Sequence, residues 1–291
     1  MKKLFTAAAV AVLGATSAQA ADIAARPFTK ALVNPASAYS WSGFYVGGNL
    51  GASFSDAKPS NSIACGAAGV ADYICSTIDP PSQANAPAVV NSLVGSSSNS
   101  NVIGGVHAGY NQQAGLIVYG GEIDVGYFNF GTSQLGRGVY PATGGGGAAL
   151  GGDSFVAATS VSSDLLVTLR GRLGYLVSPN LLGYATGGLA IGRVKTANSF
   201  ADSHDDGNPF SGNGFGERSE TKVGWTVGAG LEYAFARNWS VRAEYMYLDL
   251  GSSSVNTLIT NQNHAGEQTP FNTSVDLTAH LVRAGVSYKF Q

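Results

Sequence analysis

From Leu165 to Tyr175 the chain reads LLVTLRGRLGY. Leu165, Val167, Leu169, Gly171, Leu173 and Tyr175 fall on one face of an extended chain, and Leu166, Thr168, Arg170, Arg172 and Gly174 on the other. Alternation at period two specifies a strand with one apolar side and one charged side. A soluble sheet would bury the first and wet the second. Segments of the same kind recur along most of this chain, behind an export signal. The apolar side therefore has another solvent available to it, a lipid bilayer around a barrel.

The signal is residues 1–20. Lys2 and Lys3 open it, Leu4 to Leu13 form a short apolar stretch, and Ala18-Gln19-Ala20 supplies a small-residue cleavage site before Ala21. Loss of the two lysines moves the formal net charge from −2 to −4, so the mature chain lacks the basic balance of a nucleic-acid binder. No later stretch approaches the ~18–20 continuous apolar residues of a membrane helix. The 40 glycines, 13 tyrosines and 13 phenylalanines, with few charges, suit a barrel of short strands. Residues 21–40, with Pro27 and Pro35 and no clear period, read as a periplasmic leader, and residues 41–291 as one barrel domain. Cys65 and Cys75 are the two cysteines, and in an oxidising compartment they are expected to form a loop disulfide rather than a metal site.

Eight alternating segments follow the leader, over residues 41–54, 102–111, 117–127, 165–175, 181–193, 223–233, 239–248 and 278–290. Short connections with Gly, Pro and Asn lie at 112–115, 177–180 and 235–238. Long polar ones lie at 55–101, 128–163, 194–222 and 249–275. The expected fold is all-β, an eight-stranded antiparallel up-and-down transmembrane barrel with short periplasmic turns and four long extracellular loops. Trp41, Tyr110, Tyr119, Tyr175, Tyr233, Trp239, Tyr288 and Phe290 collect at the short-turn end, where a membrane girdle belongs.

Several of these segments carry a resemblance. Trp41-Ser42-Gly43-Phe44-Tyr45-Val46-Gly47, Val106 to Asn111, Arg170-Gly171-Arg172-Leu173-Gly174-Tyr175, Thr186-Gly187-Gly188-Leu189-Ala190, Gly224-Trp225 to Tyr233, and Val282-Arg283-Ala284-Gly285 through Phe290 are the residues concerned. Across all eight strands the chain resembles the outer-membrane immunogenic proteins of α-proteobacteria. The resemblance implies a bacterial outer-membrane location, contact with membrane lipids and lipopolysaccharide, and insertion by the assembly machinery through the C-terminal strand. Such barrels usually end on an aromatic residue, whereas this chain ends Phe290-Gln291. The long loops resemble nothing recognisable.

The lumen of an eight-stranded barrel is only wide enough for side chains to fill. Glu122, Asp124, Arg170, Arg172, Glu232, Arg242, Glu244 and Arg283 alternate inward, four acids and four arginines. Counted from the girdle tyrosines, Glu122 should face Arg172, Asp124 should face Arg170, and Glu244 should meet Arg283, within the stagger of the barrel. Such a set either packs the bore shut or lines a narrow ion-conducting pore, and the small bore favours the first. Other chemistry is thin. Asp202-Ser203-His204-Asp205-Asp206-Gly207 departs from a calcium loop at His204 and Asn213 and reads as a solvated loop. Gly144 to Gly147 lacks the Lys-Ser/Thr of a phosphate loop. His107, inside near the periplasmic end, has no Ser-acid partner evident, and His204, His264 and His280 are scattered. No enzyme, cofactor, metal or nucleic-acid partner is expected. The expected role is structural and surface-exposed, with a small porin or a ligand-binding surface receptor, for haem in some relatives, as the alternative.

Overall fold

The computed structural model describes residues 39–55, 59–66, 72–74, 84–93, 99–141, 152–203, 211–262 and 266–290. The expected signal, Cys75, His204, His264 and Gly144 to Gly147 lie outside them, as does the leader up to residue 38. Strand β1 is Gly43–Ser55, β2 Ser60–Ile63, β3 Asn99–Ala114, β4 Ile117–Val139, β5 Ser154–Ser178, β6 Leu181–Ser203, β7 Gly212–Ala234, β8 Trp239–Asn261 and β9 Gln268–Lys289. One helix, α1, spans Asn85–Ser92. The eight long strands pair in sequence order, all antiparallel, and β1 closes the ring onto β9. The short β2 takes the place of β1 beside the outer end of β9, Ser60 opposite Ser274.

The ends of the ring differ. At one end the turns are tight, Gly115 with φ +63° between β3 and β4, and Pro179-Asn180 between β5 and β6. At the other end the strands run much further than alternation alone indicates. β5 has 25 residues and β4, β6, β7 and β8 have 23 each. A bilayer needs about 9–11 tilted residues, so these strands are about twice the length required. Most of what reads as loop at 128–163, 194–222 and 249–275 is therefore strand, and the true outer connections are residues 140–153, 204–211 and 262–267.

The reason lies in the packing. Near the tight turns, the outward side chains are apolar: Leu50, Val106, Ile123, Leu169, Leu189, Val227, Val241 and Val282 are all exposed. In the outer half the arrangement inverts, and Phe155, Val161, Val194, Phe200, Val255, Ile259, Phe271 and Val275 are buried inside the ring. The change is accompanied by irregularities at one level. Register shifts interrupt β4–β5 between Tyr127 and Phe130, β5–β6 between Ser163 and Leu166, and β8–β9 between Asp249 and Ser252, where Gly251 has φ +74°. On β5 the outward phase passes from even to odd numbers at Asp164–Leu165, and on β8 from odd to even at Gly251–Ser252. Bulges change which side of a strand faces the core.

Aromatic residues ring the apolar band at both ends. Tyr110, Tyr119, Tyr175, Tyr233, Trp239, Tyr288 and Phe290 point outward near the tight turns. Phe54, Tyr127, Trp225 and Tyr247 form a second outward ring at the level of the bulges. Trp41 is the exception among the expected girdle residues. It is 2% exposed, turned into the barrel mouth before β1 begins, and its ring nitrogen donates to the Pro179 carbonyl at 3.3 Å.

Candidate functional site

All eight charged residues singled out from alternation are buried within the ring. Arg170 on β5 is the hub. It pairs with Glu122 on β4, lies 2.9 Å from Glu244 on β8, and stands 3.6 Å from Asp124. Arg242 on β8 reaches across to Glu122 at 2.5 Å. Arg283 on β9 contacts Glu244 at 2.6 Å and Asp124 at 3.0 Å. These six side chains form one closed network drawn from four strands. Arg172 makes a separate pair with Glu232 on β7 at 2.6 Å. Opposed charges this far from water hold only where each has partners, and here each acid has an arginine.

The expected pairing is met in part. Glu244 and Arg283 are direct register partners. Glu122 stands opposite Arg170, not Arg172, and Asp124 opposite Thr168, although Asp124 and Arg170 remain near neighbours. The two-residue offset arises because Ile117, not Tyr119, pairs with Tyr175, so the tyrosines used as markers are themselves staggered.

Alternation missed the neutral members. Tyr45 donates to Glu122 at 2.9 Å and accepts from Arg172 at 3.5 Å, linking the pair to the hub. Tyr184 donates to Glu244 at 3.3 Å, and its ring lies under the Arg172 guanidinium at 3.9 Å. Asn49 donates to Asp124 at 3.3 Å, and Ser240 to Glu232 at 2.6 Å. Tyr45 stands on the inward phase of its segment, which was the available signal. Tyr184 sits on the segment with the weakest contrast between faces. His107 meets Ser287 through Nε2 at 2.9 Å, while its Nδ1, where a catalytic triad has its acid, has no hydrogen-bond partner among the described residues.

Apolar packing bounds this layer on both sides. Toward the tight turns lie Trp41, Val118, Leu176, Leu182, Tyr184 and Ala234, with Tyr39 against them. Outward lie Ile103, Phe128, Leu166, Met246, Leu248, Leu250, Leu277 and Leu281. Beside Asn49, Asp124 and Arg283 a cavity of about 20 Å³ remains, room for about one water. Further out come Asn61, Gln134, Thr159 and Thr273, joined through Asn61. Residues of the connection between β1 and β3 then fold into the mouth: Tyr73, Ile74, Val89 and Leu93 pack on Tyr140, Phe155, Phe200, Ile259 and Phe271. Asp202 gathers the rim, accepting from Tyr140 at 2.7 Å, Tyr73 at 3.0 Å and the Gly212 N–H at 2.5 Å. Burial pushes its carboxyl pKa up, against the opposing hydrogen bonds. It is thus engaged within the fold, and residues 204–210 of the calcium-like motif lie outside the described residues. Cys65, just past β2, is disulfide-bonded. No group of three His, Cys, Asp or Glu side chains that could hold a metal occurs among the described residues.

A closed antiparallel ring, apolar outside over about half its height and charged within, defines an outer-membrane β-barrel. The chain belongs to the family described as outer membrane protein beta-barrel domain, whose pattern matches residues 7–290. It is 32% identical over 284 residues to the 31 kDa outer-membrane immunogenic protein of Brucella melitensis, spanning 97% of this chain and 98% of that protein. It is 28% identical over 287 residues to the 25 kDa outer-membrane immunogenic protein of Brucella abortus, spanning 99% and 97%. A 22 kDa outer membrane protein of Rhizobium leguminosarum matches at 36% over 149 residues, 51% of this chain and 53% of that one. Among solved structures, OprG from Pseudomonas aeruginosa matches 87% of this chain and 98% of its own, with 12% identity and a TM-score of 0.40. The protein is located in the bacterial outer membrane.

Proposed function

We propose that this protein is a closed barrel whose role is structural and surface-exposed, presenting its outer half as an antigenic face, and that its lumen carries no solute. The observation supporting this most directly is the charge network. Four arginines and four acids span the bore from strand to strand, so an ion would have to displace side chains that are each other's partners. The apolar layers above and below, and the β1–β3 connection folded into the outer mouth, point the same way. In this reading the two aromatic rings mark the bilayer surfaces, and β9 with Phe290 just past its end presents Val282, Ala284, Val286, Tyr288 and Phe290 as the segment the assembly machinery would recognise. In the same reading Cys65 pairs with Cys75, the chain's other cysteine, and ties down the β1–β3 connection. The relatives named immunogenic are consistent with surface presentation.

Planar-bilayer recording tests it. Purified folded protein is expected to give little or no stable conductance. Large uniform steps would show that the network lines an open pore.

A further inference from the structure

On the outward face of β8 and β9, at the level of the outer aromatic ring, a histidine stands among aromatic side chains. His280 is exposed, and it is the register partner of Tyr247 on β8 and of Phe54 on β1. Trp225 on β7 meets Tyr247 with ring centroids 5.4 Å apart, and Tyr247 meets His280 at 5.3 Å. Tyr245 pairs with Val282, so it lies diagonal to His280 across the ladder, a relation that aromatic side chains can span. Its ring stacks on the imidazole with centroids 5.9 Å and planes 28° apart, and its hydroxyl is 2.6 Å from Nδ1.

A phenol is a stronger acid than a neutral imidazole N–H, so the hydroxyl donates, Nδ1 accepts, and the ring hydrogen sits on Nε2. That contact has a chemical consequence. A phenol that loses an electron becomes a strong acid, and the loss is easy where a base within hydrogen-bond reach takes the proton in the same step. Imidazole is such a base near neutral pH. Among the described residues, Tyr245 is the one outward tyrosine placed against a base. Tyr110 donates to the Gln112 side-chain carbonyl at 3.1 Å, an amide that does not take up protons. Tyr45 and Tyr184 face carboxylates, but inside the ring. Access does not distinguish Tyr245 either, since it is 48% exposed, against 59% for Tyr127 and 48% for Tyr233.

We propose that Tyr245 is a one-electron oxidation site on the barrel exterior, which gives an electron to a peroxyl radical while its phenolic proton passes to Nδ1 of His280. The electron turns the peroxyl radical into a hydroperoxide anion, and His280 releases its Nε2 proton to that anion. The products are a hydroperoxide, a neutral tyrosyl radical on Tyr245 and His280 with its hydrogen on Nδ1. Trp225 and Tyr247 stand in series with this pair, so a hole formed on either ring has a short path to Tyr245, where loss of the proton traps it. The proposal is independent of whether the lumen conducts.

The test uses folded protein in vesicles of saturated phosphatidylcholine, with peroxyl radicals generated under oxygen by a lipid-soluble azo initiator. Spin-trap adducts are located by peptide mass spectrometry. Tyr245 is expected to carry about tenfold more adduct than Tyr127 or Tyr233, the low end of what a positioned base contributes. His280→Phe keeps a ring but removes the base, and should bring Tyr245 down to the level of the others. His280→Asn sets an amide oxygen near the place of Nδ1, preserving an acceptor that is not a base, and should lose the preference equally. Even labelling of the outward tyrosines in the unaltered protein would overturn the proposal, whatever the variants do. A preference for Tyr245 that survives His280→Asn or His280→Phe in the folded, heat-modifiable barrel would overturn it as well.

Discussion

The two halves of this barrel use the same strands to solve opposite problems. In the half between the aromatic rings, which we propose faces lipid, the outward side chains are apolar and the polar groups are gathered within as a network of arginines and acids. In the outer half, which the same reading places in water, Phe155, Phe200, Ile259 and Phe271 fill the interior as in a soluble protein. The strands cross from one regime to the other near bulges, which let a period-two chain exchange its faces without ending. Which side of a β-strand is apolar is thus set by the solvent at each height and not by the strand as a whole.

The sharpest contrast is in the cores. Arg170→Ala leaves Glu122 and Glu244 each short of a buried partner and is expected to cost about 3–5 kcal/mol, lowering the temperature at which the folded band on gels is lost. Leu277→Ala in the apolar layer above is expected to cost about 2–5 kcal/mol by leaving a cavity, and its loss of hydrogen-exchange protection should centre on the outer strands. Equal, uniform effects of both would mean that the halves are one core. Exteriors differ too. Leu169→Arg, in the middle of the apolar band, is expected to cost about 2–4 kcal/mol. Ser160→Arg on the same strand, exposed in the outer half, should fall within about 0.5 kcal/mol. A comparable penalty for the two would place Ser160 in lipid.

The smallest expected effect concerns pH. Because burial raises the Asp202 pKa in the folded state, protonation favours the folded rim that it gathers. That contribution is complete below the ordinary carboxylate range and is lost as pH rises through the folded value. Protection of the Gly212 amide, corrected for intrinsic exchange, should therefore increase on acidification from neutral pH. Asp202→Asn should flatten that dependence. A fall in protection on acidification would contradict the assignment.

Alternation made the membrane half legible, down to the eight charged lumen residues, because lipid outside and charge inside give the strongest contrast a strand can carry. It failed where contrast is low and phase is broken. Beyond Asp164 the outward residues of β5 are even-numbered and many inward ones are small, such as Ala157 and Thr159, so a continuous pattern is lost although the strand continues. Trp41 was misplaced for a related reason. It precedes the strand, so its phase was never defined by pairing, and its side chain turns into the mouth to meet Leu176 and Leu182. The partners of the network depend on shear between strands, which no single segment encodes.

The inversion itself is best tested by single spin labels stepped along β5 from Val156 to Tyr175 in lipid-reconstituted protein, read for access to oxygen and to a water-soluble paramagnetic agent. From Leu165 to Tyr175 the odd positions should be open to oxygen and the even ones shielded from both agents. From Val156 to Asp164 the even positions should be open to the water-soluble agent and the odd ones shielded. One unbroken phase along the whole strand, or oxygen access continuing beyond Asp164, would contradict the inversion and the two-solvent design built on it.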